Sequence, residues 1–125
     1  MHLLFYKNIL FFITALVAGN GDSAPPAPKV SREEYIEKYK MVAVQDMLTT
    51  GVPASITLAQ AAFESDNGNS PLAIEANNHF GIKCHEWTGK KYYHDDDAKQ
   101  ECFRVYNSAL ASFNDHSYFL KNREV

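Results

Sequence analysis

Residues 53–65 (PASITLAQAAFES) form an almost wholly apolar run that ends on one charge, Glu64. Pro53 fits the first turn of a helix. Helical spacing sends Leu58, Ala62 and Phe63 toward a core, and a run this apolar on all sides implies a buried helix. Gln60 and Glu64, four apart, share one face a turn apart. A carboxyl at the end of an apolar helix is partly desolvated, which disfavours its charged form and suits a general acid. The alternative is a glutamate exposed at a helix end. A polar turn follows at residues 65–70 (SDNGNS), and then residues 77–84 (NNHFGIKC).

The rest of the chain arranges itself around that helix. Ser31 and Glu34 have the spacing of a capping box. A helix then runs to about Thr50, with Tyr35, Tyr39 and Val42 on one side and Ile36, Ala43 and Met47 beside them. Gly51 stops it. Ser70 and Pro71 open a short third helix that ends near Glu75 or Ala76, and Phe80 and Ile82 pack inward from a short extended piece. Residues 91–94 and 102–106 flank a polar loop and read as a β-hairpin, with Phe103 and Val105 alternating against Arg104 and Tyr106. Asn107 or Ser108 caps a last helix whose inward stripe is Leu110, Phe113, Ser117 and Leu120.

At 125 residues the chain holds one domain, and 46% hydrophobic content is enough for a packed core. A formal charge of −3 without a basic stripe argues against nucleic acid. Residues 1–19 read as a secretory signal: Lys7 lies in the n-region, residues 9–18 are an apolar stretch too short to span a bilayer, and small residues follow. Residues 20–30 are a Pro-rich linker, and residues 31–125 are the domain. Export favours bridging Cys84 and Cys102, the only two cysteines. Free thiols are the alternative. A metal site with His79, His85 or His94 lacks zinc spacing.

Four blocks in order, ASITLAQAAFES, GNSPLAIEANNHFGIKC, WTGKKYYHDDDAKQECFRVY and the Asp115-His116 pair, resemble the glucosaminidase family of peptidoglycan hydrolases, the lysozyme-like domains of autolysins and flagellar muramidases. The resemblance spans residues 31 to about 123. It implies a mainly α, lysozyme-like α+β fold, a helical core with a small β-hairpin lobe. It also implies hydrolysis of the β-1,4 bond between N-acetylglucosamine and N-acetylmuramic acid, without a cofactor. The partner is then the peptidoglycan glycan strand, met by a bacterial, exported monomer in the periplasm or cell wall. Membrane contact arises only through an uncleaved leader. Members of the family generally continue for some tens of residues beyond this point, so the resemblance implies a domain whose C-terminal part is missing.

Glu64 aligns with the family's catalytic glutamate. The family's second acid lies on the β-lobe, where Asp95, Asp96 and Asp97 occupy the hairpin loop; Asp96 and Asp97 are favoured, and Glu101 is the outsider. A solvated turn is the plainer reading for any one of them. Calcium is a poor fit, because the run lacks the glycine and final glutamate of a binding loop. The second carboxylate either activates water from the opposite face or only orients a substrate that uses its own acetamido group. Trp87, Tyr92, Tyr93 and Phe80 are candidates to stack on sugars, Phe80 having the stronger claim to the core. Gln60, Asn77 and Asn78 are candidates for acetamido groups. Asp115 and His116 read as structural, the carboxylate orienting the ring. The rival readings are a non-catalytic peptidoglycan-binding remnant and an amidase or peptidase acting on the stem peptide, the latter requiring a free Cys84.

Overall fold

The computed structural model describes residues 23–123; the signal read at residues 1–19 lies outside them. Helix α1 (Arg32–Thr50) begins with the full capping box, the Ser31 hydroxyl accepting from Glu34 N and the Glu34 carboxylate from Ser31 N. Such a cap stabilises a helix by about 1 kcal/mol. Gly51 ends it in the left-handed region at φ 81°, where other residues are strained. Helix α2 (Ala54–Glu64) follows, with Pro53 standing just before its first turn. Helix α3 (Pro71–Ala76) is capped by Ser70 and closed by Asn77 at φ 52°.

Strands β1 (Lys91–His94) and β2 (Glu101–Arg104) form the antiparallel hairpin, with Tyr92 opposite Phe103 and Tyr93 opposite Cys102. The piece around Ile82 joins its outer edge. Cys84 N donates to Cys102 O, Arg104 N donates to Ile82 O, and Lys83 bridges Phe103. Cys84 and Cys102 are disulfide-bonded across this join, Cα to Cα 5.4 Å. The strand ends at Arg104, so the expected alternation stops there and Tyr106 turns inward, buried where Val105 is only partly so. Helix α4 (Ala109–Lys121) closes the fold, capped by Ser108.

The core is aromatic: Tyr35, Phe80, Ile82, Tyr106 and Phe113 pack with Ala61 and Ala62. Phe113 stacks on Tyr39 and meets Phe80 edge-on. Two expectations are corrected here. The inward stripe of α4 is Ser112, Phe113, His116 and Ser117, with Leu110 half exposed. Small residues on that stripe let α4 lie close against α1, where Ser117 Oγ meets the buried Asp46 carboxylate at 3.2 Å.

Helix α2 is not buried on all sides either. Thr57, Ala61 and Ala62 face inward, while Ile56 is 48% and Phe63 84% exposed. The alanines take the core-facing positions because the Tyr35 and Phe80 rings already fill the space opposite. Among the described residues no helix is long and apolar enough to cross a membrane.

Candidate active site

The site is built where α2 runs out. Ser65 Oγ donates to Ala61 O and accepts from Gly68 N, tying the turn back onto the helix that it leaves. Asp66, Asn67 and Gly68 are consecutively left-handed. Gly68 is required there: at φ 78° a Cβ would also stand 3.2 Å from the Tyr35 ring. Asn69 holds the other side of the turn, its amide pairing with both Val30 N and Val30 O. The residue that carries Glu64 is therefore clamped from both the helix and the turn.

Glu64 itself is exposed. The desolvation expected from a buried apolar helix and from Phe63 is absent, because Phe63 points to solvent. Gly81, at φ 63°, lies beneath the carboxylate: its Cβ direction ends 4.0 Å from Glu64 Oε2. Two adjoining recesses share Glu64 and Gly81. The larger, about 330 Å³, is lined by Gln60, Lys83, Phe80, His116 and Phe119 among others. The smaller, about 150 Å³, brings in Leu72, His94 and Asp96. Helix, third-helix cap and hairpin thus meet over one carboxylate.

The hairpin acids separate by position. Asp96 opens onto the recess of Glu64. Asp95 Oδ1 accepts from Gln100 N and Gln100 Nε2, which fixes the turn. Asp97 is exposed and lines neither recess. Glu101 is engaged by Lys83 at 3.1 Å. That hydrogen bond, aided by the charges of Glu101, Asp97 and Asp96, holds the Lys83 ammonium above its ordinary range. Lys83 is a fixed cation on the rim of the larger recess.

Several residues read as sugar ligands are placed elsewhere. Asn78 is 1% exposed, and its amide is spent on Ile82 N, Ile82 O and Arg104 O. Asn77 Nδ2 donates to Tyr106 O. Both amides brace backbone at the outer edge of the hairpin, at Arg104 O and Tyr106 O, a need the sequence does not display. Trp87 donates to Lys90 O, tilts against Tyr106 and lies under Arg104, in a separate recess at the base of the hairpin. Tyr93 is exposed on β1, outside both recesses. Gln60 and Phe80, by contrast, share a recess with Glu64.

The Asp115–His116 pairing is also corrected. Asp115 Oδ2 accepts from the Tyr106 hydroxyl and from Arg104 Nη1. His116 is held instead by stacking on Phe80, centroids 3.8 Å apart and planes 9° apart. His116, His94, Lys83 and Gly81 are cleft residues that sequence reasoning did not pick out for this site. Among the described residues no cluster of three or more His, Cys, Asp or Glu side chains is arranged to hold a metal ion.

A helical body, a two-stranded lobe and a lone helix-terminal glutamate in the groove between them define a lysozyme-like domain. Residues 40–125 match the sequence profile of the glucosaminidase family, described as mannosyl-glycoprotein endo-β-N-acetylglucosaminidase, and the chain belongs to that family. It is 33% identical over 112 residues to the peptidoglycan hydrolase FlgJ of Vibrio parahaemolyticus, covering 80% of this chain and 36% of that protein. It is 39% identical over 71 residues to the exo-glucosaminidase LytG of Bacillus subtilis, covering 50% of this chain and 25% of that one. The chain thus spans about a third or less of the curated relatives it matches. Its fold is similar to the glycoside hydrolase domain of Salmonella typhimurium FlgJ, with a TM-score of 0.64 and 27% identity over 75% of this chain and 63% of that domain.

Proposed function

We propose that this chain is a peptidoglycan hydrolase that cleaves the β-1,4 bond between N-acetylglucosamine and N-acetylmuramic acid. The observation that carries this reading is that Glu64 and Asp96, from different lobes, open onto one recess. Glycoside cleavage needs an acid at the leaving oxygen and a second group to activate water or orient the substrate. Glu64, clamped at the helix end, is the acid, and Asp96, on the hairpin, is the second group. Glu64 is open to solvent in the free protein, so the glycan itself displaces water from the carboxyl when it fills the groove. The relatives named peptidoglycan hydrolase and exo-glucosaminidase support the substrate and bond type. The substrate lies outside the cytoplasm, consistent with the leader read in the sequence and with a protein acting as a monomer on the wall.

The test is release of reducing ends from purified peptidoglycan, with mass analysis of the sugar that carries each new end. N-acetylglucosamine at the new end is the expected result. New ends on N-acetylmuramic acid, or fragments cut only in the stem peptide, would overturn the assignment.

A further inference from the structure

His116 is 7% exposed, yet it lines the larger recess beside Glu64. Its Nδ1 is sealed from solvent and has no hydrogen-bond partner among the described residues. The ring lies flat on Phe80, which limits tilting out of that plane. An orphaned buried N–H is rarer and costlier in proteins than an under-satisfied acceptor. The sealed nitrogen is therefore the bare one, and the proton of the neutral ring sits on Nε2. The recess that His116 lines carries the apolar Phe80, Ile82, Phe119 and Leu120 together with the polar Gln60, Glu64, Lys83 and His85.

We infer that His116 is a specificity residue, a neutral donor whose Nε2–H binds the acetamido carbonyl oxygen of a sugar in the Glu64 recess. Resting on the glycosidase reading above, this names the feature of the substrate that the recess selects. One donor set among apolar side chains matches an N-acetyl group. The carbonyl accepts the bond, and the methyl lies against Phe119 and Leu120. A free amine at the same position, protonated near neutral pH, has no lone pair to accept from the Nε2–H and no methyl to set against Phe119 and Leu120. Burial supports the neutral state by lowering the imidazole to about 4, against a small opposing pull from Asp115. Neutral histidine carries one donor and one bare acceptor.

The experiment compares cleavage of glycan strands before and after de-N-acetylation. The wild-type chain should prefer the acetylated strand by about tenfold or more, the discrimination expected from one hydrogen bond in a recess of this kind. His116→Phe keeps the stack on Phe80 but has no donor, and should bring the preference close to unity. His116→Gln returns an N–H near the position of Nε2 and should restore most of it. If His116→Phe slows both strands equally, or keeps the wild-type preference, the inference is wrong. Long-range proton–nitrogen NMR reads the tautomer independently, and a proton on Nδ1 overturns the inference by itself.

Failure of the glycosidase reading would look different, because the wild-type chain would then cleave neither strand. In that case the ring decides. An Nε2–H tautomer whose resonances move on adding N-acetylglucosamine oligomers sustains the inference, and unmoved resonances overturn it.

Discussion

The two buried histidines should make this fold acid-sensitive well above the range where carboxylates titrate. His79 is 4% and His116 7% exposed. Burial lowers each to about 4, with Lys38 adding to the effect at His79. His79 Nδ1 is also hydrogen-bonded to the Tyr35 hydroxyl, at 2.6 Å. The unfolded chain binds these protons from about pH 6.5 downward, but the folded one only near 4. Stability is therefore complete above pH 6.5 and lost as pH falls toward 4. From pH 7 to pH 5 the two rings together should remove about 3–4 kcal/mol, a large share of the roughly 5–15 kcal/mol that holds a domain. Unfolded Asp and Glu titrate near about 4, so they intrude little in that interval. Asp46, raised by burial, works in the opposite direction and relieves some of the loss. Urea unfolding at the two pH values, followed by fluorescence of the single tryptophan, measures the difference. His116→Phe should halve it. A stability unchanged between pH 7 and pH 5 would mean that folding does not hold the two rings neutral.

Reducing or deleting the Cys84–Cys102 bridge, which closes a sequence separation of 18, should cost about 3 kcal/mol on chain-entropy grounds. Urea midpoints of the oxidised protein and of the Cys84→Ser, Cys102→Ser pair report it, with thiol counting as the check on bridging. Asn replacements of the three loop aspartates should act unequally on peptidoglycan turnover. Asp96→Asn should be the most damaging, because Asp96 shares the recess of Glu64. Asp97→Asn should be nearly neutral. Asp95→Asn should act mainly through the hairpin turn that it pins, showing as a lower melting temperature.

What the sequence showed was whatever chemistry lies within a few residues. The Ser31–Glu34 box, the Gly51 stop, the Ser70-Pro71 start and the Ser108 cap are local hydrogen-bond problems with local answers. The Gln60–Glu64 spacing is likewise a property of one helix. The facing of α2 was not legible. Its apolar residues nearly surround the helix, so periodicity could not tell Phe63 outside from Ala61 and Ala62 inside. That choice belongs to the Tyr35 and Phe80 rings packed against it. Asp115 looks paired with its neighbour His116, yet adjacent helical residues do not face each other. Its partners, Arg104 and Tyr106, arrive from the hairpin end. Asn77 and Asn78 look like ligands in a string of letters. In space they satisfy backbone carbonyls at the outer edge of the hairpin.

If Glu64 donates the proton that breaks the glycosidic bond, a single substitution should separate folding from catalysis. Glu64→Gln keeps the size of the side chain and, on an exposed helix end, should leave the melting temperature unchanged. It removes the acid, a contribution typically worth about 10²–10⁴-fold. Release of reducing ends from purified peptidoglycan should therefore fall to near background while the fold stays intact. A folded Glu64→Gln protein that cleaves the glycan at the wild-type rate would contradict the account.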